Sequence, residues 1–229
     1  MRCMRLPILQ AILLLALVAM AGFALLGMKE TRISSVDGAL ASPVEGEVLY
    51  LPSGKALHFV SFGYTNALSQ VLWLNTISYF GKHFRLDQNY RWLAHMCTIV
   101  SDLNPQAEQV YHFCSAMLAW EANSPRESVA ILSHGISVRP QDWYLYYLRG
   151  FVYMFFLHDA ERARDDFVAA AKLPGVELFV VRLAAKKLAE LESPQTAIEF
   201  LEEAMVRTKD PLARQALSNK LQRILKEKR

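Results

Sequence analysis

Side chains able to do chemistry are present in this chain of 229 residues, but not at the spacings that chemistry needs. Its six histidines (His58, His83, His95, His112, His134 and His158) are scattered, and none forms an H-E-x-x-H pair or a C-x-x-C-H haem site. His95 and Cys97 are two residues apart, as are His112 and Cys114. Two residues turn a helix by about 200°, so neither pair faces one metal. Asp165-Asp166 and Glu202-Glu203 are adjacent, a pattern that solvates an amphipathic helix rather than pairing carboxylates over a substrate. No glycine-rich phosphate loop occurs. These residues point to no enzyme activity, no cofactor and no metal.

Composition narrows the class. Hydrophobic residues make up 53% and charged residues 21%, which is too apolar for a disordered chain. The 10 glycines and 9 prolines are too few for a linker-rich or collagenous protein. The 25 Lys and Arg exceed the 22 Asp and Glu by three, too thin a surplus for a nucleic-acid binder. Three cysteines cannot build a disulfide framework.

The N-terminus reads as a membrane signal. After a short tail, 1–5, the stretch 6–28 carries no charge, with Arg2 and Arg5 before it and Lys29, Glu30 and Arg32 after it. At about 1.5 Å of rise per residue it covers a hydrocarbon core of about 30 Å. It is longer than the apolar part of a cleavable signal, so an uncleaved anchor is expected, although Ala19-Met20-Ala21 offers a cleavage site. The charges and the short tail favour a cytoplasmic N-terminus, with the bulk of the chain periplasmic on an inner membrane. Residues 29–63 then read as a juxtamembrane linker and a lid over the first helices, with Val48–Leu51 as a short apolar run.

From Tyr64 onward the chain repeats. Leu93, Ser128, Ala163 and Ala197 open successive helices at intervals of 35, 35 and 34 residues. Four and seven residues after each come Cys97 and Val100, Leu132 and Gly135, Phe167 and Ala170, Leu201 and Ala204. That spacing keeps all of them on one face, where the small residues admit a partner helix closely. Pro105, Pro140 and Pro174 close the first three units, because proline supplies no N–H and clashes with the preceding turn. In the preceding helix of each unit, Cys114, Gly150 and Ala184-Ala185 are the complementary small residues. The turns near Asn123 and Leu157 hold one or two extra residues.

This two-helix unit of about 34 residues resembles the tetratricopeptide repeat over 64–209. The resemblance implies an all-α solenoid of four helix pairs, with 210–229 as a capping helix whose inner side carries Leu212, Leu217, Leu221 and Leu225. Leu51–Lys55, Leu72-Trp73-Leu74 and Tyr79-Phe80-Gly81 further resemble membrane-anchored bacterial proteins with such repeats, a likeness that implies an envelope location but no activity. Cys97 and Cys114 take landmark positions that are normally buried and apolar, so core thiols are expected; oxidation to a disulfide is the alternative that an extracytoplasmic domain permits.

The resemblance also implies where a partner binds. The first helices of the units line a concave face, and residues three before and one after each small landmark look into it: Tyr111 and Ser115, Tyr147 and Phe151, Arg182 and Lys186. The expected role is a membrane-tethered scaffold for protein partners in an envelope assembly, held to the bilayer through 6–28 and without nucleic acid. A cleaved, soluble periplasmic adaptor is the second reading.

Overall fold

A computed structural model describes residues 54, 56–57 and 61–227, all within the compact unit Tyr50–Arg229. The expected tail 1–5, the span 6–28 and the apolar run 48–51 lie outside the described residues. Among those described, no helix is long and apolar enough to cross a membrane.

The described chain is all-α, as expected, with helices following one another in pairs. Phe62 (φ 47°) and Gly63 (φ 90°) break the backbone ahead of α1, Thr65–Arg85. Then come α2 (Leu93–Leu103), α3 (Glu108–Trp120), α4 (Pro125–Val138), α5 (Trp143–Phe155) and α6 (Ala160–Ala171). The last three are α7 (Leu178–Leu191), α8 (Pro194–Arg207) and α9 (Pro211–Glu227). Short turns fold each helix back on its predecessor, giving the pairs α1–α2, α3–α4, α5–α6 and α7–α8, with α9 against α7 and α8.

The helix starts follow from local chemistry. The carboxylate of Asp142 accepts from the Tyr144 N–H, that of Asp159 from Arg162, and the Ser193 hydroxyl from Thr196. Each satisfies one of the amides that a helix leaves unpaired at its start. Proline opens α4, α8 and α9, where its missing N–H costs nothing. The extra turn residues after α3 and α5 also have a visible purpose. Asn123 (φ 48°) and His158 (φ 55°) adopt the left-handed conformation, and the amides after them bond back to the Leu118 and Tyr153 carbonyls. This six-residue return closes both helices; the turn after α7 lacks the insertion and has no such residue.

Packing follows the repeat. Leu93, Ser128, Ala163 and Ala197 are completely buried, as are Cys97, Leu132, Phe167 and Leu201 four residues later. Close approach is literal in the third pair: a Cβ on Gly150 would lie 2.8 Å from the Phe167 ring and 3.1 Å from the Ala163 carbonyl oxygen. In the second pair the Ser128 hydroxyl donates to the Ser115 carbonyl across 2.8 Å. Each fully buried Leu or Phe contributes about 1.5–3 kcal/mol.

Two expectations are corrected. Cys97 and Cys114 are not free thiols but a disulfide, with Cα atoms 6.0 Å apart, tying α2 to α3 across the first two units. Both landmarks face the same inter-unit boundary, which is why they meet. On α9, the inner face is formed by Leu217, Leu221 and Ile224, whereas Leu212 is 81% exposed and Leu225 also faces outward. At about 100° per residue, Ile224 lies about 20° from Leu217, whereas Leu225 lies about 80° and Leu212 about 140° away.

A bidentate pair adds a polar anchor inside the array. Arg149 Nε and Nη2 donate to the Asp166 carboxylate at 2.8 and 2.7 Å, and Nη1 reaches the Ser133 hydroxyl at 3.0 Å. These contacts join α4, α5 and α6.

Candidate functional site

The first helices of the second, third and fourth pairs share a frame. Counting seven residues from Glu108, Trp143 and Leu178 reaches Ser115, Gly150 and Ala185, each small and buried. Residues three before and one after are His112 and Ala116, Tyr147 and Phe151, Arg182 and Lys186, and all are partly or fully exposed.

The frame corrects two of the six residues expected in the groove. Tyr111 is completely buried, and its hydroxyl donates to the Pro105 carbonyl at 2.9 Å; burial pushes its pKa up to about 12. Ser115 is 2% exposed and donates to the His112 carbonyl. The sequence reading takes Cys114 as the landmark, one residue early. A slip of one turns a helix by about 100° and exchanges groove positions for core positions. His112 holds the position assigned to Tyr111.

The structure gathers His112, Tyr147 and Phe151 into an aromatic ladder along α5. His112 meets Tyr144 edge-on at 4.7 Å, Tyr144 stacks near Tyr147 at 5.8 Å, and Phe151 and Phe155 follow at 6.4 and 4.4 Å. Trp120 from the end of α3 flanks Phe151 at 6.0 Å. Trp120 is 60% exposed and Phe155 54%, so the far end of the ladder is open to solvent. Burial, reinforced by Tyr144, raises the pKa of the Tyr147 hydroxyl and keeps it neutral. The ladder arises because positions 144, 147, 151 and 155 are three or four apart.

Tyr147 links the ladder to a second feature. Its ring meets Phe179 of α7 edge-on at 5.3 Å, and both line a groove of about 490 Å³. Arg182 and Lys186 of α7 form one wall, and Asn219, Lys220 and Arg223 of α9 form the other; among the described residues no acidic side chain lines it. Lys186 has Glu190 at 3.6 Å, whereas among the described residues no ion pair engages Arg182, Lys220 or Arg223. Thus Tyr147, Arg182 and Lys186 share one site, and Phe151 adjoins it along the ladder. Sequence reasoning missed Trp120, Phe155, Phe179, Lys220 and Arg223. The spacing of Lys220 and Arg223 was available as a signal, but a polar final helix reads first as a cap.

At the other end of the ladder, Glu108, His112 and Asp142 bring one potential metal-ligating atom each within 4.8 Å of one another. Arg139 already occupies both carboxylates, donating to Glu108 at 2.9 Å and Asp142 at 2.8 Å. A cation would have to displace that guanidinium, so the cluster reads as a staple between the second and third units. Burial lowers the His112 pKa, against the pull of Glu108 and Asp142. Sequence spacing could not reveal this group, because its members come from two units.

Comparison with known proteins finds matches among solved structures alone. No family model matches the chain, and no curated protein matches it. Among solved structures, MamA (residue 41 to the end) from Desulfovibrio magneticus RS-1 aligns with a TM-score of 0.41 and 16% identity, covering 69% of this chain and 95% of that one.

Proposed function

We propose that this chain is a non-catalytic scaffold that binds an extended segment of a protein partner along the ladder of α5 and into the groove between α7 and α9. The observation that carries the reading is the continuity of the two features through Tyr147 and Phe179. Aromatic and arginine side chains dominate binding hot spots: the rings bury large areas with little loss of conformational freedom, and the planar guanidinium offers a fixed fork of donors. A row of such residues along stacked helices suits a chain laid lengthwise.

We further propose that residues 6–28 tether the scaffold to an inner membrane, with the repeats on the periplasmic side, so that partners in an envelope assembly meet it at high local concentration. The uncharged length of that stretch supports the tether. The site at Ala19-Met20-Ala21 supports the second reading, a processed periplasmic adaptor, which predicts a mature protein beginning near Gly22 in the soluble fraction.

Photo-crosslinking in the native membrane tests the groove. A benzophenone analogue of phenylalanine installed at Tyr147 or Phe155 of the full chain is expected to trap a discrete partner. The same probe at Val206, which is 83% exposed on α8, is expected to trap none. Equal adducts from Val206, or none from either ladder position, would refute the site. With the probe at Phe155, a Tyr147→Ala/Phe151→Ala background should abolish the adduct.

A further inference from the structure

We infer that the partner segment is acidic, with an apolar or aromatic side chain between its carboxylates, and that α9 is half of its binding site rather than only a cap. This rests on the proposed groove and adds its chemistry. Arg182 and Lys186 face Lys220 and Arg223 across the groove, so four cations converge in a chain whose net charge is only +3. Among the described residues no carboxylate lines the space, and only Lys186 has an acidic partner, Glu190 at 3.6 Å. Like charges gathered in one recess repel one another, and an anionic ligand relieves that repulsion while being drawn towards the site. Tyr147 and Phe179 line the same groove and meet edge-on at 5.3 Å, giving it an apolar surface that an aromatic or aliphatic side chain would cover.

The shape favours a polypeptide over a lipid surface. The cations line a recess of about 490 Å³ between two helices, and a strand of chain can enter it. A flat bilayer would meet only the rims. Carboxylates spaced along a segment can reach both walls, and the arginines can hold them bidentately.

Selection from a random peptide library displayed on phage, with the full-length chain in detergent as bait, tests the assignment. Selected peptides are expected to carry net negative charge with at least one aromatic or large aliphatic residue. Arg182→Glu/Arg223→Glu is expected to weaken their binding about tenfold. The three altered positions, Arg182, Lys220 and Arg223, are all partly or fully exposed, so circular dichroism should match the parent, and Lys220→Gln/Arg223→Gln should give a smaller loss. Raising salt from about 0.1 M to about 1 M, which shortens the screening length from about 10 Å to about 3 Å, should also weaken binding. Neutral or basic peptides that still need Tyr147 and Phe155 would overturn the acidic assignment and leave the groove standing. A chain that selects no peptide but binds short-chain phosphatidylglycerol through Arg182 and Arg223 would overturn both.

Discussion

Replacing glycine by alanine at two helical positions should have opposite effects, and the sign at each follows from what a new methyl would touch. Gly81 lies inside α1, where an added Cβ meets nothing within 4 Å. Alanine there should stabilise by about 0.5–1 kcal/mol, because it restricts the unfolded chain and favours the helix. Gly150 would gain the same helical preference. Its Cβ, however, would lie 2.8 Å from Phe167 Cε1, 3.0 Å from Cδ1 and 3.1 Å from the Ala163 carbonyl oxygen. Phe167 is completely buried, and the Ala163 oxygen belongs to backbone, so neither can yield without parting α5 from α6. Overpacking of this kind costs about 2–3 kcal/mol, which leaves Gly150→Ala about 1–2 kcal/mol less stable than the parent. Urea denaturation followed by far-ultraviolet circular dichroism reads both variants from the shift of midpoint at constant slope. A Gly150→Ala protein as stable as Gly81→Ala would refute the close approach of paired helices on which the array depends.

Three other outcomes follow from the same geometry. Intact mass under non-reducing conditions should be two hydrogens below the reduced value; Cys97→Ser/Cys114→Ser should lose about 3 kcal/mol, the loop-closure contribution for a separation of 17 residues. Native-state labelling of either thiol would contradict the bond. Asp166→Ala should cost about 2–3 kcal/mol in urea denaturation, below the range for a fully buried pair because the Arg149 side chain keeps 21% exposure, whereas Arg149→Leu/Asp166→Leu should cost less than the two single losses together. Burial holds the His112 pKa below its ordinary 6.5, so the unfolded chain binds the extra proton first; stability should fall as pH drops below about 6.5, and His112→Asn should flatten that part of the profile. An unchanged slope in the variant would assign the effect to another group.

Much of this architecture is legible in the sequence because local rules act over four or seven residues. The openers Leu93, Ser128, Ala163 and Ala197 set the period, and the prolines that follow stop the helices for steric reasons that need no tertiary context. Tyr147, Arg182 and Lys186 could be placed on their helix faces because Gly150 and Ala185 mark the frame. Other features depended on distances that no spacing contains. Cys114 and Ser115 are adjacent small residues, and only packing against α4 decides which is the landmark; that choice moves Tyr111 into the core and His112 onto the ladder. The bond between Cys97 and Cys114 needs two helices of different units to meet. The cationic groove likewise exists only because α9 folds back beside α7, bringing Lys220 and Arg223 opposite Arg182 and Lys186. Periodicity determines which face of a helix is apolar, but what stands opposite that face is decided by packing.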